Sequence, residues 1–164
     1  MSTIIGLTKS EVLASTATPD FAVGTLGETG NLGTKQYLYV HAQEVVTAAG
    51  YICVIDSDFE AEMTDLASTA PGAGAGFSCG AAMAAVADNE FFWIQVYGKG
   101  SVRVLTDCAV GTALYCTATS GALDDVATSG LEHIVGIVLG TVAGGAPETN
   151  ADAYFNFPYV GDTA

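Results

Sequence analysis

Residues 91–125 read Phe-Phe-Trp-Ile-Gln-Val-Tyr-Gly-Lys-Gly-Ser-Val-Arg-Val-Leu-Thr-Asp-Cys-Ala-Val-Gly-Thr-Ala-Leu-Tyr-Cys-Thr-Ala-Thr-Ser-Gly-Ala-Leu-Asp-Asp, and this stretch decides the fold class. Short runs of aromatic and β-branched residues alternate with Gly-centred breaks, the pattern of strands separated by tight turns. It predicts three strands, over 91–97, 101–106 and 113–117. Turns are expected at Gly98-Lys99-Gly100, Ala109-Val110-Gly111 and Thr119-Ser120-Gly121. In the first strand Phe92, Ile94 and Val96 share one face. Trp93, Gln95 and Tyr97 share the other, so both faces should be partly covered. In the second, Val102, Val104 and Thr106 share a face and Arg103 points the opposite way. The stretch contains the chain's only Trp and only Arg.

Outward from it the same grammar continues. Residues 36–42 (Gln-Tyr-Leu-Tyr-Val-His-Ala) and 51–55 (Tyr-Ile-Cys-Val-Ile) read as strands. So do the apolar run Leu131-Glu-His-Ile-Val-Gly-Ile-Val-Leu139 and the closing Tyr154-Phe-Asn-Phe-Pro-Tyr-Val160, with 142–151 as a loop between them. Residues 81–87 (Ala-Ala-Met-Ala-Ala-Val-Ala) suit a short helix by composition and a strand by context. The turn signal Asp88-Asn89-Glu90 favours a hairpin with the strand that follows. Regularly spaced short strands argue for an all-β fold, a single small β-barrel or β-sandwich domain over 36–164.

Residues 1–35 show no sustained period. Thr8 and Glu11 have capping-box spacing for one helical turn. Pro19, Gly24, Gly27, Gly30 and Gly33 then interrupt any long element. This predicts an extended N-terminal arm with Phe21, Val23 and Leu26 as its apolar anchors, lying along its own domain or reaching onto a neighbour.

Composition excludes several function classes. The chain has 164 residues, half of them hydrophobic, with 20 Gly, which describes one domain of closely approaching backbones rather than a disordered chain. Four basic residues (Lys9, Lys35, Lys99, Arg103) stand against 18 acidic ones, for a net charge of -14. Nucleic-acid phosphates and anionic membranes both require clustered cations, so neither is an expected partner. The first residues carry no basic region ahead of a long apolar run, and no signal peptide is expected. The uncharged stretch Leu66–Ala87 is made of Ala, Gly, Ser and Thr with a Pro, too weakly apolar to enter a bilayer.

The motifs of chemistry are sparse. Gly76-Phe-Ser-Cys-Gly80 matches the nucleophile elbow of hydrolases, but no strand leads into it, and only His133 follows. His41 and His133 both lie in strands and read as structural. Asp56, Asp58, Glu60, Glu62 and Asp65 invite comparison with a calcium loop, but Ala61 and Ala67 stand where its Gly and Glu belong. That run reads as a solvated acidic loop. Cys53, Cys79, Cys108 and Cys116 lack the spacing of a zinc site and read as buried thiols, with a Cys108–Cys116 disulfide as the alternative. No catalytic, metal or cofactor site is expected.

One resemblance remains. Gly80–Gly98, then Val102-Arg-Val, Val110-Gly-Thr-Ala-Leu-Tyr-Cys-Thr, Gly121 and Ile134-Val-Gly-Ile-Val-Leu-Gly140 together resemble the capsid decoration (cement) proteins of tailed bacteriophages. The likeness spans 80–140 and is a pattern of turns and packing residues. It implies a compact β-domain on the outer surface of the virion, made in the host cytoplasm. Such proteins form trimers or dimers that bridge neighbouring major capsid proteins, with no cofactor and no catalysis. Trp93 would then help subunits associate, and Lys99 and Arg103 would meet an acidic capsid surface. A self-assembling subunit of a viral shell, tail or filament is the alternative, and a hydrolase using Ser78 a third reading.

Overall fold

The computed structural model describes residues 5–30, 34–127, 131–145 and 147–163. Along them run β1 (Ile5–Gly6), α1 (Lys9–Val12), β2 (Leu26–Thr29), β3 (Lys35–Ala42), β4 (Ile52–Ile55) and β5 (Glu60–Met63). There follow β6 (Ser78–Ala82), β7 (Phe91–Leu105), β8 (Leu114–Cys116), β9 (Leu123–Asp124), β10 (Glu132–Leu139) and β11 (Glu148–Thr163). The all-β expectation holds. The strands form one mixed sheet, and beside it stands a helical turn of four residues. That turn is closed by the expected capping box: Glu11 N–H meets the Thr8 hydroxyl, and the Glu11 carboxylate accepts from Thr8 N–H at 2.7 Å.

In hydrogen-bonded order the sheet reads β1-β2-β3-β5-β4-β6-β11-β10-β8-β9-β7, and β7 pairs in addition with β3, β6 and β11. The sheet therefore returns on itself through β7, its second-longest strand, which leaves fewer unpaired edges. Parallel pairing is confined to β1–β2, β3–β5 and β7–β9.

Three buried clusters result, a small one of Val12, Tyr37, Tyr39 and Trp93 and two larger cores, and β4 is the wall between the two larger ones. Ile52 and Val54 face a core with Val102, Val104, Leu114, Leu123, Ile134, Phe155 and Val160. Cys53 and Ile55 face another with Val40, Phe92, Ile94 and Val96. Successive strand residues point to opposite faces, so a strand lined by core on both sides carries no polar residue. Burial of each large aliphatic side chain there contributes about 1.5–3 kcal/mol. β6 belongs to the same wall: Cys79 and Ala81 enter the first core and Ala82 the second. At Gly80 a Cβ would strike Ile94 and the Gln95 carbonyl, so only glycine lets β6 press against β7.

The structure corrects two sequence expectations. Gly98-Lys99-Gly100 is no turn: β7 runs unbroken for 15 residues. It pairs with β3 up to Tyr97 and with β11 from Tyr97 onward. Gly98, at φ +92°, stands between these partners where a Cβ would strike the Thr34 carbonyl oxygen. Gln95 braces this segment. Its buried side chain donates from Nε2 to the carbonyls of Tyr97 at 3.1 Å and Lys99 at 3.2 Å. The second correction concerns 142–151, read as a loop. β11 already begins at Glu148, because Glu148–Asn156 pair residue by residue with Leu105–Tyr97. Of the ambiguous alanine run only Ala81 and Ala82 are strand, opposite Gln95 and Ile94 of β7, while 83–87 leave the strand and Val86 makes an isolated bridge to Val46.

Candidate partner-binding surface

The N-terminal segment lies along its own domain. Leu26–Thr29 pair antiparallel with β3, Ile5 and Gly6 run parallel to β2, and Thr16 bridges to Phe91. Its anchor Phe21 packs edge-on against Tyr39 and tilted against Trp93, each at 5.4 Å between ring centroids. Tyr39 and Trp93 in turn lie 4.8 Å apart. The segment thus roofs the outer face of β3 and β7, and Trp93 is left 2% exposed. Leu26 packs partly buried against the second core, and Val23 is the one anchor that faces solvent. Phe21, Leu26 and Trp93 are therefore committed within the chain, and Trp93 has no surface to offer a partner. The extended arm expected over 1–35 is, where described, a strapped-down layer.

The cations divide into two pairs. Lys99 Nζ lies 3.0 Å from an Asp152 carboxylate oxygen, and Arg103 Nε donates to Glu148 Oε1 at 2.9 Å. The two residues expected to meet acidic capsid thus each have an ion-pair partner in their own chain, Arg103 in a mostly buried pair and Lys99 in an exposed one. Lys9 and Lys35 have no carboxylate within ion-pair distance among the described residues. Both border one apolar cleft between α1 and the β2–β3 hairpin.

A surface that sequence reasoning missed lies across β10 and β11. Val138 opposes Tyr154 and Val135 opposes Tyr159 on the outer face, while Ile137 and Phe155 point inward. Opposite Gly136, at φ +88°, three β11 residues, 156–158, fill the interval between Phe155 and Tyr159, and this bulge shifts the inward–outward alternation of both strands. Val138, Tyr154, Phe157 and Tyr159 are 51%, 61%, 52% and 45% exposed. Phe157 stacks on Tyr97 at 5.5 Å. Period-2 alternation does not reveal this face, because Tyr154 stands at opposite parity to Phe157 and Tyr159 and only the irregularity at 156–158 turns all three outward.

The chemical motifs of the sequence are built into strands and turns. Ser78 opens a strand, with no helix after it, so the Gly-x-Ser-x-Gly string does not form an elbow. The acidic run contains β5, and its carboxylates end backbone donors: Asp56 accepts from Asp58 and Glu60 N–H, each at 2.9 Å. Asp65 does the same for Ala67 and Ser68 N–H at 2.8 Å. Asp56, Glu60 and Glu62 line one cleft, and burial, followed by repulsion from Glu44, Asp65 and Asp56, raises the Glu62 pKa. All four cysteines are free and buried. Cys108 meets Asp124 and Asp125 in space, but Asp125 is occupied by Ala109 N–H at 2.7 Å and Asp124 accepts from Asp125 N–H at 2.8 Å. No described helix is long and apolar enough to cross a membrane.

No protein-family model matches the chain, and no curated protein matches it in sequence. The likeness to capsid decoration proteins accordingly rests on the residue pattern of 80–140. Several of its glycines sit at conformations that favour glycine: Gly98, Gly111, Gly121 and Gly136 all have positive φ.

Proposed function

We propose that this chain is a non-enzymatic virion protein that decorates the outer surface of a tailed-phage capsid and cements neighbouring major capsid proteins. The observation that carries the reading is the outward aromatic face of β10 and β11. Large exposed apolar patches on soluble proteins mark interaction sites. Tyr and Phe are the residues that dominate interface cores. On a chain of net charge -14, this face is where a protein surface can approach with least electrostatic repulsion. The strapped-down N-terminal layer and the self-closing sheet suit a particle-bound part that must resist strain.

The test is binding of the purified chain to expanded shells of the same phage that lack it, measured by co-sedimentation. Saturable binding is expected, with Tyr154→Asp and Val138→Asp weakening it while leaving thermal stability unchanged. Absence of saturable binding would sink the proposal. The same aromatic face also favours the alternative of a self-assembling shell, tail or filament subunit. That reading requires the isolated chain to polymerise without limit, whereas a cement protein stops at a small closed oligomer. Sedimentation velocity separates the two.

A further inference from the structure

We propose that the cleft between α1 and the β2–β3 hairpin seats an apolar side chain of a partner protein segment whose flanking residues are carboxylates. The inference deepens the capsid-docking reading and rests on it for the partner's identity. Its chemistry is read from the cleft alone.

Buried Val12 and Tyr37 line the cleft together with Met83 and Leu13, and Leu13 is 45% exposed. Its volume is about 240 Å³. Sites that enclose free small molecules usually measure about 300–1,000 Å³, so this one suits the anchoring side chain of a protein. Lys9 and Lys35 stand at its border. They are the two cations without an ion-pair partner among the described residues, whereas Lys99 and Arg103 are paired with Asp152 and Glu148. In a chain with 18 acidic residues, two cations without an ion-pair partner among the described residues flank this one apolar cleft, with Glu11 of α1 and Glu28 of β2 on the same two elements. Such an arrangement repels acidic partners from other approaches and fixes their register here. An apolar anchor between two carboxylates satisfies the lining and the border at once.

Two measurements test this. In the first, the isotope-labelled full chain is titrated by NMR with the blocked tripeptide Glu-Leu-Glu and, separately, with Lys-Leu-Lys. Saturable amide shifts at Leu13, Lys35 and Met83 are expected with Glu-Leu-Glu alone, and K9E/K35E should abolish them. Shifts elsewhere, or equal shifts with both peptides, overturn the proposal. In the second, binding to expanded shells should weaken more than about tenfold in K9E/K35E and in Leu13→Asp, and persist in K9R/K35R. If K9E/K35E binds shells as the native chain does, the cleft proposal fails while the decoration reading stands. If the native chain binds no shell, the decoration reading falls and the peptide titration decides the cleft alone. If the isolated chain associates with itself and K9E/K35E abolishes that, the occupant is a second copy and the proposed partner is wrong.

Discussion

Arg103 and Glu148 meet diagonally across the β7–β11 ladder, Nε donating to Oε1 at 2.9 Å, and the Tyr51 hydroxyl donates to the same oxygen at 2.5 Å. The Arg103 guanidinium also lies 5.0 Å from the Tyr51 ring centre. The knot joins the entrance of β4 to the two longest strands. Because the Glu148 side chain is only 13% exposed, removing its cation leaves a largely desolvated carboxylate. Arg103→Met is expected to cost about 2 kcal/mol. Urea unfolding of Arg103→Met, Glu148→Gln and the double variant would measure the coupling. A coupling under about 0.5 kcal/mol would place the pair among solvent-screened contacts.

The middle of β7 depends on Gln95, whose amide serves the carbonyls of Tyr97 and Lys99 inside the fold. Gln95→Leu keeps the bulk and removes the donor, so about 1–3 kcal/mol of stability should be lost. Hydrogen exchange at Gly98–Gly100 should quicken more than elsewhere in β7. Uniform exchange along the strand would show that Gln95 does not hold this segment.

Glu62 is raised by burial first and by Glu44, Asp65 and Asp56 after it. A carboxyl raised on folding contributes stability below its unfolded pKa and loses it as pH rises through the folded value. At neutral pH the ionised group is therefore a net burden, and Glu62→Gln should stabilise the protein by under about 1 kcal/mol. The gain should vanish in acid. A destabilised variant at pH 7 would contradict the sign.

The thiols shift in the same direction. Burial raises Cys53 and Cys79 and pushes Cys108 up to about 12, while Tyr51 is raised chiefly by its bond to Glu148 and then by burial. Each raised group stabilises the fold below its unfolded pKa and ceases to do so as pH climbs through its folded value. The contribution of these groups should therefore decline only above about pH 8.5–10, where they ionise in the unfolded chain. In native protein at pH 8, a thiol reagent should react no faster than global unfolding permits. Rapid modification of any one cysteine would refute its enclosure.

Phe21 holds the N-terminal layer over Trp93 and Tyr39. Phe21→Ala should cost about 2–3 kcal/mol, below a fully buried Phe because the ring is partly exposed. The emission of the single Trp should move to longer wavelength as water reaches Trp93. An unchanged spectrum would mean that the rest of the layer covers the indole without Phe21.

Much of this fold was legible because it obeys short-range rules. The alternation of Phe92, Ile94 and Val96 against Trp93, Gln95 and Tyr97 follows from strand geometry, and the two faces are both covered as expected. The Thr8–Glu11 capping box is equally local. Gly98 misled because a glycine at positive φ suits either a tight turn or an irregularity within a strand. Which one forms is settled by Thr34 and Phe155, which lie far along the chain. The candidate surfaces were illegible for the same reason: whether Lys99 is paired depends on where Asp152 falls.

From its own residues, then, the chain determined an all-β class, the faces of its aromatic strand, an acidic exterior and the single helical turn. Each follows from properties that neighbouring residues possess together. Tertiary structure alone decided that β7 is one strand, that 5–30 lies on its own domain and that Arg103 is paired while Lys35 has no ion-pair partner among the described residues. It also decided that the aromatic residues of β11 face outward. Those outcomes depend on pairings between distant segments, where register assigns each side chain to core, ion pair or solvent.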